Sequence, residues 1–339
     1  MKPSPNAMTH RPWYKSSFPW AITAAASLAA FTIGWFLEPP IPPPQALRVS
    51  GYQFIDPLLL CDINNSRAFP EDLSISSDIQ SIISARIKSG DINKASTYFI
   101  DLRDGKWSDV NENERYYPSS LGKIPIMIAY YEQAENYPGI LTKEINYTGG
   151  PDLNQTQDIK PAAAVVAGQT YTVEQLIEYM IKYSDNNAAM LLYNTIDHHA
   201  LDNIYHELNI PTTAGVNIDN LDSVNPGQVS ELFRILYNAT YISRDYSEQA
   251  LKLMSESSFT QGLVAGVPQT ILISHKFGLV GIASGNITIE HELHDCGIVY
   301  ATDPYVLCVM IRGSSSLDTM ESVIAQISKA AFQDVENGG

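Results

Sequence analysis

The sequence predicts an α/β (α+β) chain in which an α/β half is interrupted by an all-helical half. Three observations lead there. Strand-like segments stand near the start of the soluble part and again near its end, a long helical stretch separates them, and one amphipathic helix closes the chain. That order puts early and late strands together, sets the helical insertion beside them, and leaves a cleft between the halves.

The elements follow in order. Ser77-x-x-Gln80 has capping-box spacing, and Ile79, Ile82, Ile83 and Ile87 recur at helical intervals before Gly90, which predicts a first helix. Residues 96–102 and 106–110, joined across Arg103-Asp104-Gly105, read as a hairpin. The apolar run Ile124-Pro125-Ile126-Met127-Ile128-Ala129 predicts a helix opening near Ser120, with Pro125 early enough to cause only a mild kink. Further helices are expected at 172–183, 187–196, 227–238 and 246–255, and strands near 270–276, 293–300 and 305–312. Leu317, Met320, Ile324, Ile327 and Ala331 form one stripe of a last helix.

Three short strings stand in one order: Ser120-Leu121-Gly122-Lys123, Ser184-Asp185-Asn186 and Lys276-Phe277-Gly278, separated by 64 and then 92 residues. A serine hydroxyl is a poor nucleophile at neutral pH unless a base takes its proton, and a lysine three residues on lies one helical turn away on the same face. Lys123 is thus placed to reach Ser120. It can serve as a base only if desolvation or a nearby cation lowers its pKa, and Lys276 is a candidate for that cation. Ser184 would relay the proton. A helix N-terminus at Ser120 also favours an oxyanion through its free N–H groups. An N-cap serine with two solvated lysines is the plainer reading, and three strings in sequence with fitting surroundings weigh against it.

On these residues the sequence resembles the penicillin-recognising serine acyl-enzymes, namely the class A β-lactamases and related DD-peptidases, whose signatures are S-x-x-K, S-D-N and K-T-G. The likeness spans about Ser77 to Val335, including the stretch from Tyr171 to Leu176 that leads into Tyr183-Ser184-Asp185-Asn186, and Leu263-Val264-Ala265-Gly266-Val267-Pro268 before Lys276. The resemblance implies an antiparallel sheet flanked by helices plus an all-α half, with the α half at about 119–262 and the α/β half at 71–118 plus 263–339. It implies Ser120 as nucleophile, Lys123 as acylation base, Ser184 as proton shuttle and Asn186 as a substrate amide contact. Lys276 would partner a substrate carboxylate, with Phe277, Gly278 and Leu279 in the substrate-binding strand. The N–H groups of Ser120 and Leu279 would form the oxyanion hole. No cofactor or metal is implied.

Two departures from the family pattern bear on function. Phe277 stands where K-T-G has Thr or Ser, which removes a hydroxyl expected to donate to a substrate carboxylate. The family's Glu-x-x-x-Asn, whose Glu activates the hydrolytic water, has no match in the short segment from Ile210 to Val224, where the acids are Asp219 and Asp222. Glu207 precedes Leu208-Asn209, but Leu201, Ile204 and Leu208 place it on the surface of a helix.

The 339 residues, 45% hydrophobic, supply a core for one large or two small domains, and the net charge of −16 argues against a nucleic-acid partner. Cys296 and Cys308 fall on two apolar runs and are expected as buried free thiols, with a disulfide between paired strands as the other outcome. His291-Glu292-Leu293-His294-Asp295 lacks helical H-E-x-x-H spacing and reads as a polar strand start rather than a metal site. Arg312 is placed at a strand end, where it would either bind a substrate carboxylate or stand solvated or packed against a helix.

Residues 18–37 carry no charge over 20 positions, enough to cross a bilayer, with Lys2, Arg11 and Lys15 before them and Glu38 after. The expected layout is a cytoplasmic N-terminus at 1–17, an uncleaved single-pass anchor at 18–37, a Pro-rich linker at 38–70 and an extracytoplasmic domain at 71–339. A cleaved signal peptide is the rival, against which the apolar run continues through Phe36. The function expected is a membrane-anchored serine hydrolase that forms an acyl-enzyme at Ser120 with β-lactams or related amides. A DD-peptidase or transpeptidase acting on cell-wall peptide, and a non-catalytic anchored receptor, are the alternatives.

Overall fold

Two short paired strands, β1 (Leu47–Arg48) and β2 (Leu58–Leu60), precede helix α1 (Leu73–Ser89) and the hairpin β3 (Lys94–Asp101) and β4 (Trp107–Val110). The computed structural model describes residues 47–60, 71–210, 223–285 and 287–338, all within one unit spanning 44–339. The expected anchor at 18–37, Cys61, and the acids Asp219 and Asp222 lie outside the described residues. Among the described residues, no helix is long and apolar enough to cross a membrane.

A 3-10 turn, Ser119–Gly122, leads into α2 (Lys123–Asn136), which runs on through Pro125. The helical half continues with the small ladder β5 (Glu144–Asn146) and β6 (Thr170–Thr172), then α3 (Val173–Lys182), α4 (Asn186–Tyr193), α5 (His198–Glu207), α6 (Pro226–Tyr237) and α7 (Arg244–Ser255). The chain returns through β7 (Ile273–Ser284), β8 (Ile287–Val299) and β9 (Tyr305–Gly313) and closes with α8 (Leu317–Glu336). One antiparallel sheet results, in the order β4-β3-β9-β8-β7, so the early hairpin pairs with the last strand.

Both faces of this sheet are covered, and β9 shows how. Tyr305, Leu307, Val309 and Ile311 face α1 and α8, packing with Ile75, Ile79, Ile83, Met320, Ile324 and Ile327. The alternate residues Val306, Cys308 and Met310 face the helical half, where α6 packs on the sheet. A strand buried on both faces reads as a continuous apolar run, since period-2 alternation has no polar side to show. Each such Ile or Leu contributes about 1.5–3 kcal/mol of burial.

Local signals place several helix ends. Thr172 with Gln175, and Asn225 with Gln228, form capping boxes at α3 and α6, and Gly90 at φ +80° ends α1. The start of α1 differs from expectation. Asp72 caps it through Ser74 N and Ile75 N, so Ser77 lies inside the helix, its carbonyl accepting from Ser81 Oγ. Strands β7 and β8 are longer than the 270–276 and 293–300 expected, because their ladder continues, increasingly exposed, out to the turn at Gly285, φ +64°. His291 and His294 therefore sit within β8 rather than at its start.

Two further expectations are corrected. Cys296 and Cys308 are not free thiols: the register of β8 on β9 sets them directly opposite, Cα atoms 3.9 Å apart, and they form a disulfide. The stretch expected as linker contains residues that dock on the domain. Phe54 and Ile55 are buried in the core, Glu248 accepts the N–H groups of Gln53, Phe54 and Ile55, and Arg48 donates to the carbonyls of Asp56 and Leu102.

Candidate active site

Ser120 sits at the entrance of α2, where the buried helix of one half meets the edge strand β7 of the other. Tyr116 bridges Val224, and Ser119 follows at φ +49°, a left-handed conformation that costs a non-glycine residue about 1–2 kcal/mol. Ser119 Oγ donates to the carbonyl of Leu279 at 2.7 Å, joining the turn to β7. The approach is close. A Cβ on Gly278 would lie 3.2 Å from the Pro118 carbonyl oxygen and 3.3 Å from Ser119 Cβ.

The second motif forms the turn between α3 and α4. Ser184 is buried at φ +59°, and the buried Asp185 caps α4 by accepting from Asn187 N and Ala188 N. Asp185 also accepts from Val165 N at 2.7 Å and from Asn154 Nδ2 at 2.8 Å, so neighbouring loops hold the turn in place. Asn154 in turn accepts the Asn186 N–H at 2.8 Å.

Ser184 Oγ is where the three motifs meet. It lies 3.1 Å from Ser120 Oγ, 2.9 Å from Lys276 Nζ and 3.2 Å from Lys123 Nζ. Lys123 does not bond Ser120 directly, as its helical spacing suggested. Its Nζ instead donates to the Ser184 carbonyl and to Asn186 Oδ1, each at 2.7 Å. Ser120 itself stands in the 3-10 turn that ends where α2 begins. Burial lowers the Lys123 ammonium to about 7, although the charge of Asp185 opposes this. Burial also holds Lys276 well below the ordinary lysine value, helped by the charge of Lys123.

A neutral amine has two N–H bonds and one lone pair, which matches two carbonyl acceptors and one hydroxyl around Lys123. The arrangement can therefore move a proton from Ser120 Oγ through Ser184 Oγ to Lys123 Nζ. Beside Ser119, Leu121 and Lys123 lies a cavity of about 220 Å³. Tyr193, Tyr205, Ile210 and Val224 also line it, and no carboxylate does so among the described residues.

The model of the beta-lactamase enzyme family matches residues 74–335. The chain belongs to this family. The extended-spectrum beta-lactamase PER-1 of Pseudomonas aeruginosa is 25% identical over 251 residues, 66% of this chain and 77% of that protein. The solved structure of PBP-A superposes with a TM-score of 0.66 at 20% identity, covering 80% of this chain and 99% of that one. The TLA-3 extended-spectrum beta-lactamase does so at 0.64 and 17% identity, covering 77% and 99%. These two share the fold of this beta-lactamase-family chain.

Other residues placed in sequence fall around the site. Asn186 Oδ1 is taken by Lys123, and its amide lies 3.4 Å from the Leu153 carbonyl, so one motif residue also braces the lysine. Leu279 is partly exposed on β7, and Glu207 is exposed on α5. Arg312 pairs with Glu292, which has no exposed surface. His291 lies 3.4 Å from Asp158, whereas His294 Nε2 lies 3.0 Å from the Tyr117 carbonyl.

Four residues of the surroundings were not singled out as site residues. Ser119 links the turn that carries Ser120 to β7. Glu292 accepts the Tyr117 N–H at 2.9 Å, and with His294 it holds the residues just before Ser119. Burial would raise the Glu292 carboxyl, yet hydrogen bonds from His294, Tyr117 N and Arg312 keep it below the usual range. Phe259 stacks on Phe277 with ring centroids 4.3 Å apart. The adjacent Ser119-Ser120 pair was a signal for the first; nothing local marks Phe259.

Proposed function

We propose that this protein is a serine hydrolase that forms an acyl-enzyme at Ser120 with β-lactams or related amides. The observation that carries the reading is the continuous path from Ser120 Oγ through Ser184 Oγ to a lysine whose burial lowers its pKa to about 7. In the acylation step, Ser120 Oγ attacks the carbonyl carbon, its proton passes to Ser184 Oγ, and the Ser184 proton passes to Lys123 Nζ. The tetrahedral oxyanion is held by the N–H groups of Ser120 and Leu279. Collapse breaks the amide C–N bond, and the proton returns through Ser184 to the leaving nitrogen.

Family membership supports the reaction class. A solved structure of a PBP-A point mutant, 20% identical to this chain, is an acyl-enzyme complex with penicillin G. The anchor at 18–37, with the domain outside the cytoplasm, belongs to the same proposal, and the Cys296–Cys308 disulfide supports an oxidising compartment.

Hydrolysis of the ester needs a base near the acyl group, and the cavity lining contains no described carboxylate. That favours slow deacylation, the behaviour of a DD-peptidase-like penicillin-binding protein, as the second reading. Intact mass followed over time after mixing with penicillin G tests both. A persistent adduct, absent in Ser120→Ala, is the expected result. An adduct that survives Ser120→Ala removes the assignment. Rapid multiple turnover that Asp219→Asn or Asp222→Asn abolishes would identify a base in the 211–222 segment and overturn the slow-deacylation reading.

A further inference from the structure

We propose that the acyl site favours donors with no negative charge close to the reacting carbonyl, and that Phe277 sets this preference. The inference rests on the acylation reading of Ser120 and names the substrate class it would take: esters, or amides within a longer chain, with an uncharged and preferably apolar group alongside β7.

Three features of the site point this way. An anion near the nucleophile needs a cation with a free N–H, and Lys276 has none to offer. Its side chain is 0% exposed, and its Nζ donates to Ser184 Oγ at 2.9 Å and to the Phe277 carbonyl at 3.3 Å. The Phe277 ring stands 4.4 Å from the same nitrogen and takes the remaining side of the ammonium. Lys123 is 6% exposed and already surrounded by the Ser184 carbonyl, Ser184 Oγ and Asn186 Oδ1. Arg312, the other cation considered for this role, is joined to the buried Glu292.

The cover is itself apolar and braced. Phe277 is 5% exposed and Phe259 4%, and the two rings stack, so the aromatic surface is held from behind. Phe277 stands two residues before Leu279, on the same face of β7 and about 7 Å along the strand. A carboxylate at that distance from an oxyanion held at Leu279 N would shed water without gaining a donor, since a phenyl ring offers none where a hydroxyl would. Desolvating an unpaired charge costs more than any neutral group at the same place. An ester or an internal amide escapes that cost.

The test compares penicillin G with its methyl ester on the full-length protein. Second-order acylation rates at Ser120 are read by intact mass, each divided by the rate of hydrolysis of the same compound in buffer. The methyl ester should acylate about tenfold faster or more, the equivalent of about 1.4 kcal/mol in the barrier. Phe277→Thr should raise the rate with the free acid and remove the preference, while Phe277→Leu, which keeps an apolar cover, should retain it. Should Phe277→Thr fail to fold, the parent and Phe277→Leu decide the matter. An acid that reacts as fast as its ester in the parent, or an unchanged ratio in a folded Phe277→Thr, overturns the preference alone. No acylation by either compound overturns the acylation reading, and the preference falls with it.

Discussion

Ser184 Oγ stands 3.1 Å from Ser120 Oγ, and both site lysines reach the nucleophile through that hydroxyl rather than directly. One buried serine thereby connects two lysines, and the charge of Lys123 disfavours that of Lys276. Its left-handed backbone, at φ +59°, is what turns its side chain into the cleft between the halves.

This geometry changes the expected ranking of two substitutions. If Lys123 acted on Ser120 by itself, Ser184→Ala would be the milder loss. With the path among the described residues passing through Ser184, both Lys123→Ala and Ser184→Ala should slow acylation by about a hundredfold or more, the scale of a lost general base. Acylation rates from rapid mixing with a reporter β-lactam measure this, and a Ser184→Ala variant as fast as the parent would remove the relay.

The pH dependence follows from Lys123. The reactive form is the neutral amine, and burial brings its pKa to about 7. Acylation should therefore rise about tenfold per pH unit below that value and level off above it. A profile flat from about pH 5 to 9 would mean that another group takes the proton.

Glu292 gives a stability prediction of opposite sign. Its carboxyl is held below the usual 4.5, so its contribution is present above that value and is lost as pH falls through the lower folded one. Arg312→Ala leaves a fully buried carboxylate without its arginine and should cost about 3–5 kcal/mol. Glu292→Gln should cost less and flatten the acid limb. Urea unfolding at several pH values separates these outcomes. An Arg312→Ala variant as stable as the parent at neutral pH would contradict the assignment.

Loss of the Cys296–Cys308 bond should also destabilise the domain, by about 2–4 kcal/mol for a closed loop of this size. Thermal melts of the parent with and without reductant, beside Cys296→Ser, measure it. Equal melting temperatures would show that the sheet holds this pair without the covalent link.

The local elements were readable from the sequence because their causes are local. A capping residue, an apolar stripe at intervals of three and four, or a glycine at positive φ acts within a few positions of itself, as at Gly90, at Thr172 with Gln175 and along Met320, Ile324 and Ile327. The order of the three motifs likewise named Ser120, Lys123, Ser184 and Lys276 as one group. Tertiary structure alone decided how they connect. The register of β8 on β9 paired Cys296 with Cys308, because one residue of slip would have turned them to opposite faces. The turn between α3 and α4 set the left-handed Ser184 beside Ser120 and Lys276, and β7 docked against the Ser119–Gly122 turn, with Phe259 stacked on Phe277. Each of these depends on contacts between residues 12 to 160 positions apart, whose closure only the assembled core stabilises.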